Sequence, residues 1–162
     1  KSSLSPDDLE RFLYIKQAMK EAHKKPGCWN VKQGSGGIRD IEFFIQLLQI
    51  TNGNQNPNLQ QTNTSLVLKE LSSIGLIEKT ISEKLHESYL FLRRLENHLQ
   101  MLDEQQVHHL PEEKTTRLLI ARSMGFIESN DDKNLQQFEM TLQQHRKQAT
   151  SCFEDILPAD DT

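Results

Sequence analysis

Apolar residues recur along this chain every three or four positions, the period of one helix face, and polar or breaker-rich stretches separate the runs. The first run starts at Ser5-Pro6-Asp7-Asp8, where an N-cap, a proline in the first turn and early acids open a helix. Leu9, Phe12, Leu13, Lys16 and Met19 keep its spacing until Lys24-Lys25-Pro26-Gly27 stops it. Cys28 to Lys32 has room only for a short extended segment. A second helix is predicted from about Ile38 to Ile50, where Ile38, Ile41, Ile45 and Leu48 form a stripe widened by Phe44 and Leu47. So wide an apolar face predicts a mostly buried helix. Thr51 to Asn63 is rich in Asn and Gln, with Gly53 and Pro57, and reads as a polar loop.

Three more helices follow. One spans Thr64 to Ile74 and is closed by Gly75. The longest runs from about Thr80 to Gln105, with Ile81, Leu85, Tyr89, Leu92, Leu95, Leu99 and Leu102 on one side. Leu110-Pro111 breaks the chain, and Glu112 to Met124 forms a helix ended by Gly125. A last helix, roughly Asp131 to Ile156, carries Leu135, Phe138, Leu142, His145, Ala149 and Phe153, before Pro158 and an acidic tail. The expected fold is mainly α: an antiparallel helical bundle with one short strand segment near its N-terminus and a glycine-rich loop.

That loop carries the candidate chemistry. Gly34, Gly36 and Gly37 are three of the seven glycines, and they stand directly before the second helix. A helix that opens after such a loop turns free N–H groups and a positive dipole end outward, which suits a phosphate or carboxylate and equally an ordinary tight turn. Neither common phosphate fingerprint is matched: the Gly-Lys-Ser/Thr of a P-loop is absent, and Arg39 stands where a dinucleotide site needs its third glycine. On composition alone the turn leads. Lys32, Arg39, Asp40 and Glu42 flank the loop; Lys32 and Arg39 suit an anion, and Glu42 is placed to orient Arg39 through the i, i+3 relation or to serve a neighbouring domain.

Arg93, Arg94, Glu96 and Asn97 put polar groups in the middle of the most apolar helix, where hydrogen bonds that set the register of the bundle are the favoured role. Glu83 and His86 have the Glu-x-x-His spacing of carboxylate-bridged metal bundles, but no second copy exists. His108 and His109 lack Cys or carboxylate partners at ligand spacing and read as a solvated loop. No metal site is expected. Cys28 and Cys152 are far apart and read as reduced thiols. A formal charge of −4 argues against general nucleic-acid binding. No apolar run is long enough to span a bilayer, and the expected location is the cytoplasm. Lys1 rather than Met at the first position reads as a piece of a longer protein.

Lys32-Gln-Gly-Ser-Gly-Gly-Ile-Arg-Asp-Ile-Glu-Phe43 resembles the Lys-x-Gly-x-Gly-Gly-Ile-Arg-Asp/Glu-Ile-Glu-Phe signature of the glutamine synthetase adenylyltransferases. Tyr89-Leu-Phe-Leu-Arg-Arg-Leu-Glu-Asn-His-Leu-Gln100 resembles the helix that follows it there. Asp103-Glu-Gln-Gln106 with Leu110-Pro111, and Ala121 with Met124-Gly-Phe126, continue the likeness, which covers roughly Cys28 to Phe153. The resemblance implies a bifunctional nucleotidyltransferase of nitrogen regulation that attaches AMP to a tyrosine of glutamine synthetase and removes it with inorganic phosphate, releasing ADP. Mg2+ with ATP, ADP and phosphate are implied for the parent enzyme, and glutamine synthetase and the PII signalling protein as its partners. The Ile-Arg-Asp version with Arg-Arg-Leu-Glu-Asn resembles the N-terminal, AMP-removing half. The PII uridylyltransferase, with a Gly-Gly-Leu-Arg-Asp variant, is the alternative.

The Gly-Ser and aspartate signature of that superfamily's catalytic core occurs nowhere in the chain; Asp7-Asp8 and Asp160-Asp161 lack its context. The resemblance therefore implies a helical domain without its own catalytic residues, inactive alone. Residues 1–32 are expected to be the tail end of the preceding nucleotidyltransferase domain, 33–157 the helical bundle and 158–162 a tail. Lys32, Gly34, Gly36, Gly37, Arg39 and Glu42 are expected to stand near phosphate or nucleotide. A signal-relay module docking glutamine synthetase or PII is the reading from another class.

Overall fold

The computed structural model describes residues 5–23, 28–102 and 108–152. Among them are six α-helices: α1 (Pro6–His23), α2 (Ile38–Asn52), α3 (Thr64–Ser73), α4 (Lys79–Leu102), α5 (Lys114–Ser123) and α6 (Asp131–Ser151). The protein is mainly α. The helix α4 forms the spine, packed on α3, α5 and α6, while α2 meets α3, α4 and α6.

The apolar stripes become the core. In α2, Ile38, Ile41, Phe44, Ile45 and Leu48 are all buried, as are Leu85, Leu92, Leu95 and Leu99 of α4 and Phe138, Leu142 and Ala149 of α6. Leu102, expected on the buried side of α4, is half exposed. Asn63 and Asn130 start α3 and α6, each accepting a backbone N–H with its side-chain oxygen, from Leu66 at 3.1 Å and from Lys133 at 2.9 Å. The apolar side chains expected to line α1, the motif at 103–106, Phe153 and the acidic tail lie outside the described residues.

Two local features differ from expectation. The loop after α2 is not wholly polar: Pro57–Leu59 forms a 3-10 turn that drives Leu59 into the core, fully buried. Gln49 of α2 holds this turn by donating to the Leu59 and Gln61 carbonyls, at 2.5 and 2.8 Å. The short extended segment pairs at a single antiparallel bridge, Asn30 with His109. Val31 N–H donates to the His108 carbonyl at 2.8 Å, and Leu110 N–H to the Trp29 carbonyl at 2.9 Å. Pairing stops after one bridge because the chain turns at once into the glycine loop. Val31 is fully buried in the same core as the helices, so residues 29–31 are hydrogen-bonded to and packed with the bundle.

Candidate functional site

The glycine loop is built from its first residue onward. The Asn30 side-chain oxygen accepts the backbone N–H groups of Lys32 and Gln33, both at 2.9 Å, which turns the chain back on itself. Gly34 N–H then closes on the Asn30 carbonyl at 2.7 Å and Gly37 N–H on the Gly34 carbonyl at 2.9 Å. At Gly34 a Cβ would stand 2.5 Å from the Asn30 carbonyl oxygen, and at Gly37 2.6 Å from that of Val31. Gly36 has φ +72°, and a Cβ there would stand 2.5 Å from the Arg146 carbonyl oxygen of α6. The loop is therefore wound tightly and seated against the last helix.

Asp40 is buried on the first turn of α2, and its carboxylate turns back to accept Gly36 N–H at 2.7 Å. This is capping-box geometry, with an acid three residues after the N-cap Gly37 reaching the chain before it. The other leading amides are also occupied: Ile38 donates to Val31 and Arg39 to Lys32, both at 3.0 Å, and Asp40 to Gly37 at 3.2 Å. A negative carboxylate thus lies against the positive end of the α2 dipole. An anion approaching the loop finds these N–H groups already donating, and would be held by side chains instead.

Of the site residues expected from the sequence, Gly36 and Gly37 are buried, Lys32, Gly34 and Glu42 are partly exposed, and Arg39 is exposed. No ion pair among the described residues joins Arg39 to Glu42, and neither Lys32 nor Arg39 takes part in one. Glu42 instead lines a pocket of about 260 Å³ with Gln46, Gln49, Gln61 and Thr62. Among the described residues no three His, Cys, Asp or Glu side chains are grouped closely enough to hold a metal ion.

The polar residues in α4 divide. Arg93 donates to Glu96 Oε2 at 2.8 Å, while Arg94 and Asn97 are exposed. Glu96 is almost completely buried, and its Oε1 lies 3.2 Å from His108 Nδ1. His108 is therefore not the solvated loop residue that its breaker-rich surroundings predict; α4 supplies the carboxylate that no neighbour in sequence provides. Its partner His109 is exposed.

Two contributors to the loop leave no mark in the sequence. Trp29 Nε1–H donates to the Ser35 carbonyl at 3.0 Å, and Arg146 Nε donates to the same oxygen at 3.2 Å, with its guanidinium 4.4 Å from the Trp29 ring centroid. No periodicity links residues so far apart. Asp40, by contrast, was detectable from capping-box spacing after Gly37.

Comparison with known proteins matches residues 13–157 to the family described as GlnD PII-uridylyltransferase. The chain is 37% identical over 140 residues to the bifunctional glutamine synthetase adenylyltransferase/adenylyl-removing enzyme of Thioalkalivibrio sulfidiphilus, covering 86% of this chain and 14% of that protein. The enzyme of the same name from Nitrosomonas europaea is 39% identical over 143 residues, covering 88% and 15%. That from Stenotrophomonas maltophilia is 41% identical over 123 residues, covering 76% and 13%. The chain spans about a seventh of the length of these curated relatives. It belongs to the family described as GlnD PII-uridylyltransferase and is similar to the bifunctional glutamine synthetase adenylyltransferase/adenylyl-removing enzymes.

Proposed function

We propose that this chain is a helical, non-catalytic part of a cytoplasmic nucleotidyltransferase that adenylylates and deadenylylates glutamine synthetase, and that its glycine loop presents Lys32 and Arg39 to phosphate at the seam with the catalytic core. The observation that carries this reading is the loop itself. It is a rigid, internally bonded turn at a helix start, with two cations on its outer side that enter no ion pair among the described residues.

In phosphorolysis, an oxygen of inorganic phosphate forms a bond to the adenylyl phosphorus and the bond to the tyrosine oxygen breaks. ADP departs, and the tyrosine oxygen takes up the proton that the attacking phosphate gives up. Two negatively charged groups, the inorganic phosphate and the adenylyl phosphate, must be brought together, and fixed cations lower the cost of doing so. Lys32 contributes a point charge and Arg39 a planar fork suited to two phosphate oxygens. Asp40 keeps the loop in shape rather than meeting the anion, because its carboxylate is turned to Gly36. Mg2+ and ATP belong to the parent enzyme in this reading.

In this reading α1 is the tail end of the preceding domain, and the bundle domain includes residues 29–31. The family description favours a second assignment, the corresponding domain of a PII uridylyltransferase. A relay role, with the bundle docking glutamine synthetase or PII, is compatible with either. The test is phosphorolysis of adenylylated glutamine synthetase by the full-length enzyme carrying Arg39→Ala or Lys32→Ala. Loss of a charged hydrogen bond to phosphate predicts a fall of roughly 10- to 100-fold in kcat/KM for phosphate. Unchanged rates in both variants would reduce the loop to a hinge.

A further inference from the structure

The glycine loop is held from outside as well as from within, and the helix that reaches it from a distance is α6, through Arg146. Arg146 donates through Nε to the Ser35 carbonyl at 3.2 Å, lays its guanidinium 4.4 Å from the Trp29 centroid, and offers its main chain as the floor on which Gly36 sits. Trp29 donates to the same Ser35 carbonyl at 3.0 Å, so both lone pairs of that oxygen are taken. A planar guanidinium can lie flat on an indole while its Nε–H points along its own plane; an ammonium, a point charge without a planar fork, cannot hold both contacts in that geometry. Gly36 makes the arrangement possible, since a side chain there would collide with the Arg146 backbone, the nearest approach being 2.5 Å.

We infer that Arg146 is a positioning residue of the glycine loop: acting through Trp29 and Ser35, it lets α6 set where Lys32 and Arg39 stand. Movement of α6 relative to α2 is then transmitted to the loop through one side chain. The inference that α6 clamps the loop stands on geometry alone; that the clamp serves phosphorolysis rests on the proposal above.

Trp29 is the only tryptophan of the chain, which makes it a direct reporter. In the 162-residue chain, Arg146→Ala and Gly36→Ala should each shift Trp29 emission to longer wavelength and increase its quenching by acrylamide, with the helical circular dichroism retained. Arg146→Lys should fall between wild type and Arg146→Ala, keeping the cation over the ring and losing the Ser35 bond. Wild-type emission and quenching in an Arg146→Ala chain that keeps its helix signal would overturn the clamp. If Arg146→Ala fails to fold, wild-type emission in both Gly36→Ala and Arg146→Lys overturns it equally. In the full-length enzyme, Arg146→Ala should lower phosphorolysis by roughly 10- to 100-fold, since small misplacements of binding groups cost that much, and Arg146→Lys should recover part of it. Altered emission with full phosphorolysis would keep the clamp and sink the phosphate reading instead.

Discussion

At Gly36 two demands meet, a positive φ of +72° and a backbone seated on Arg146, and only a residue without a Cβ satisfies both. Gly75, which follows α3, shares the first demand with φ +75° but has nothing within 4 Å of its would-be Cβ. The pair separates conformational strain from steric strain. Gly75→Ala should cost about 1 kcal/mol, the left-handed penalty alone. Gly36→Ala should cost more than about 2 kcal/mol, because α6 must move or the loop must lift. Urea midpoints of the two variants measure this, and equal losses would mean that the Arg146 main chain yields freely. Three glycines in four positions mark the loop in the sequence, but which of them meets a distant helix is written only in the fold.

Between elements, the contact of α4 with α6 contains a polar cluster inside an apolar seam. Ser88 is fully buried and donates to Gln148 Oε1 at 2.6 Å. Its single hydrogen is thereby committed, so the 2.9 Å contact with His145 Nδ1 has the imidazole as donor. Phe91 stacks on the same ring with centroids 4.4 Å apart. Burial lowers the His145 pKa from its ordinary 6.5, opposed by the hydrogen bond with Gln148 and by the charge of Glu87. Because the native value is depressed, the unfolded chain takes up the proton first as pH falls. Stability is therefore fully present above pH 6.5, declines below it, and has been lost once pH passes below the native value. His145→Gln should flatten this part of the profile. Denaturant midpoints at several pH values from 7.5 down to about 5 are the measurement, and parallel profiles for variant and wild type would remove His145 as the cause. His145 was legible as a member of the α6 stripe, but its partners sit on α4 at a register no sequence period encodes.

For the molecule as a whole, the question is where the bundle begins. Trp29, Asn30 and Val31 are tied by hydrogen bonds to residues 108–110, and Val31 lies in the core of the bundle with Trp29 packed against it. The buried Glu96 carboxylate of α4 also lies 3.2 Å from His108 Nδ1 in the same strip. Trp29 should therefore unfold with the bundle: its fluorescence and the far-UV circular dichroism should give coincident denaturation curves. A separate, earlier fluorescence transition would place residues 29–31 with the segment before them. A break expected at residue 32 follows naturally from the composition, because the glycine loop begins there. Hydrogen bonds across that point are long-range: the Asn30–His109 bridge joins residues 79 positions apart.

What the sequence by itself determined is everything periodic or local: the α class, the helices and their buried faces, the caps, and the family signature at Lys32–Phe43. Each depends on residues within a turn or two of one another, where spacing dictates geometry. The tertiary structure alone decided that the α2 amides are already occupied, that His108 meets a buried carboxylate, and that Arg146 clamps the loop. The last two are meetings of a helix with a segment distant in sequence, and all depend on which groups are brought face to face. Helical periodicity says which side is buried and leaves open what it is buried against.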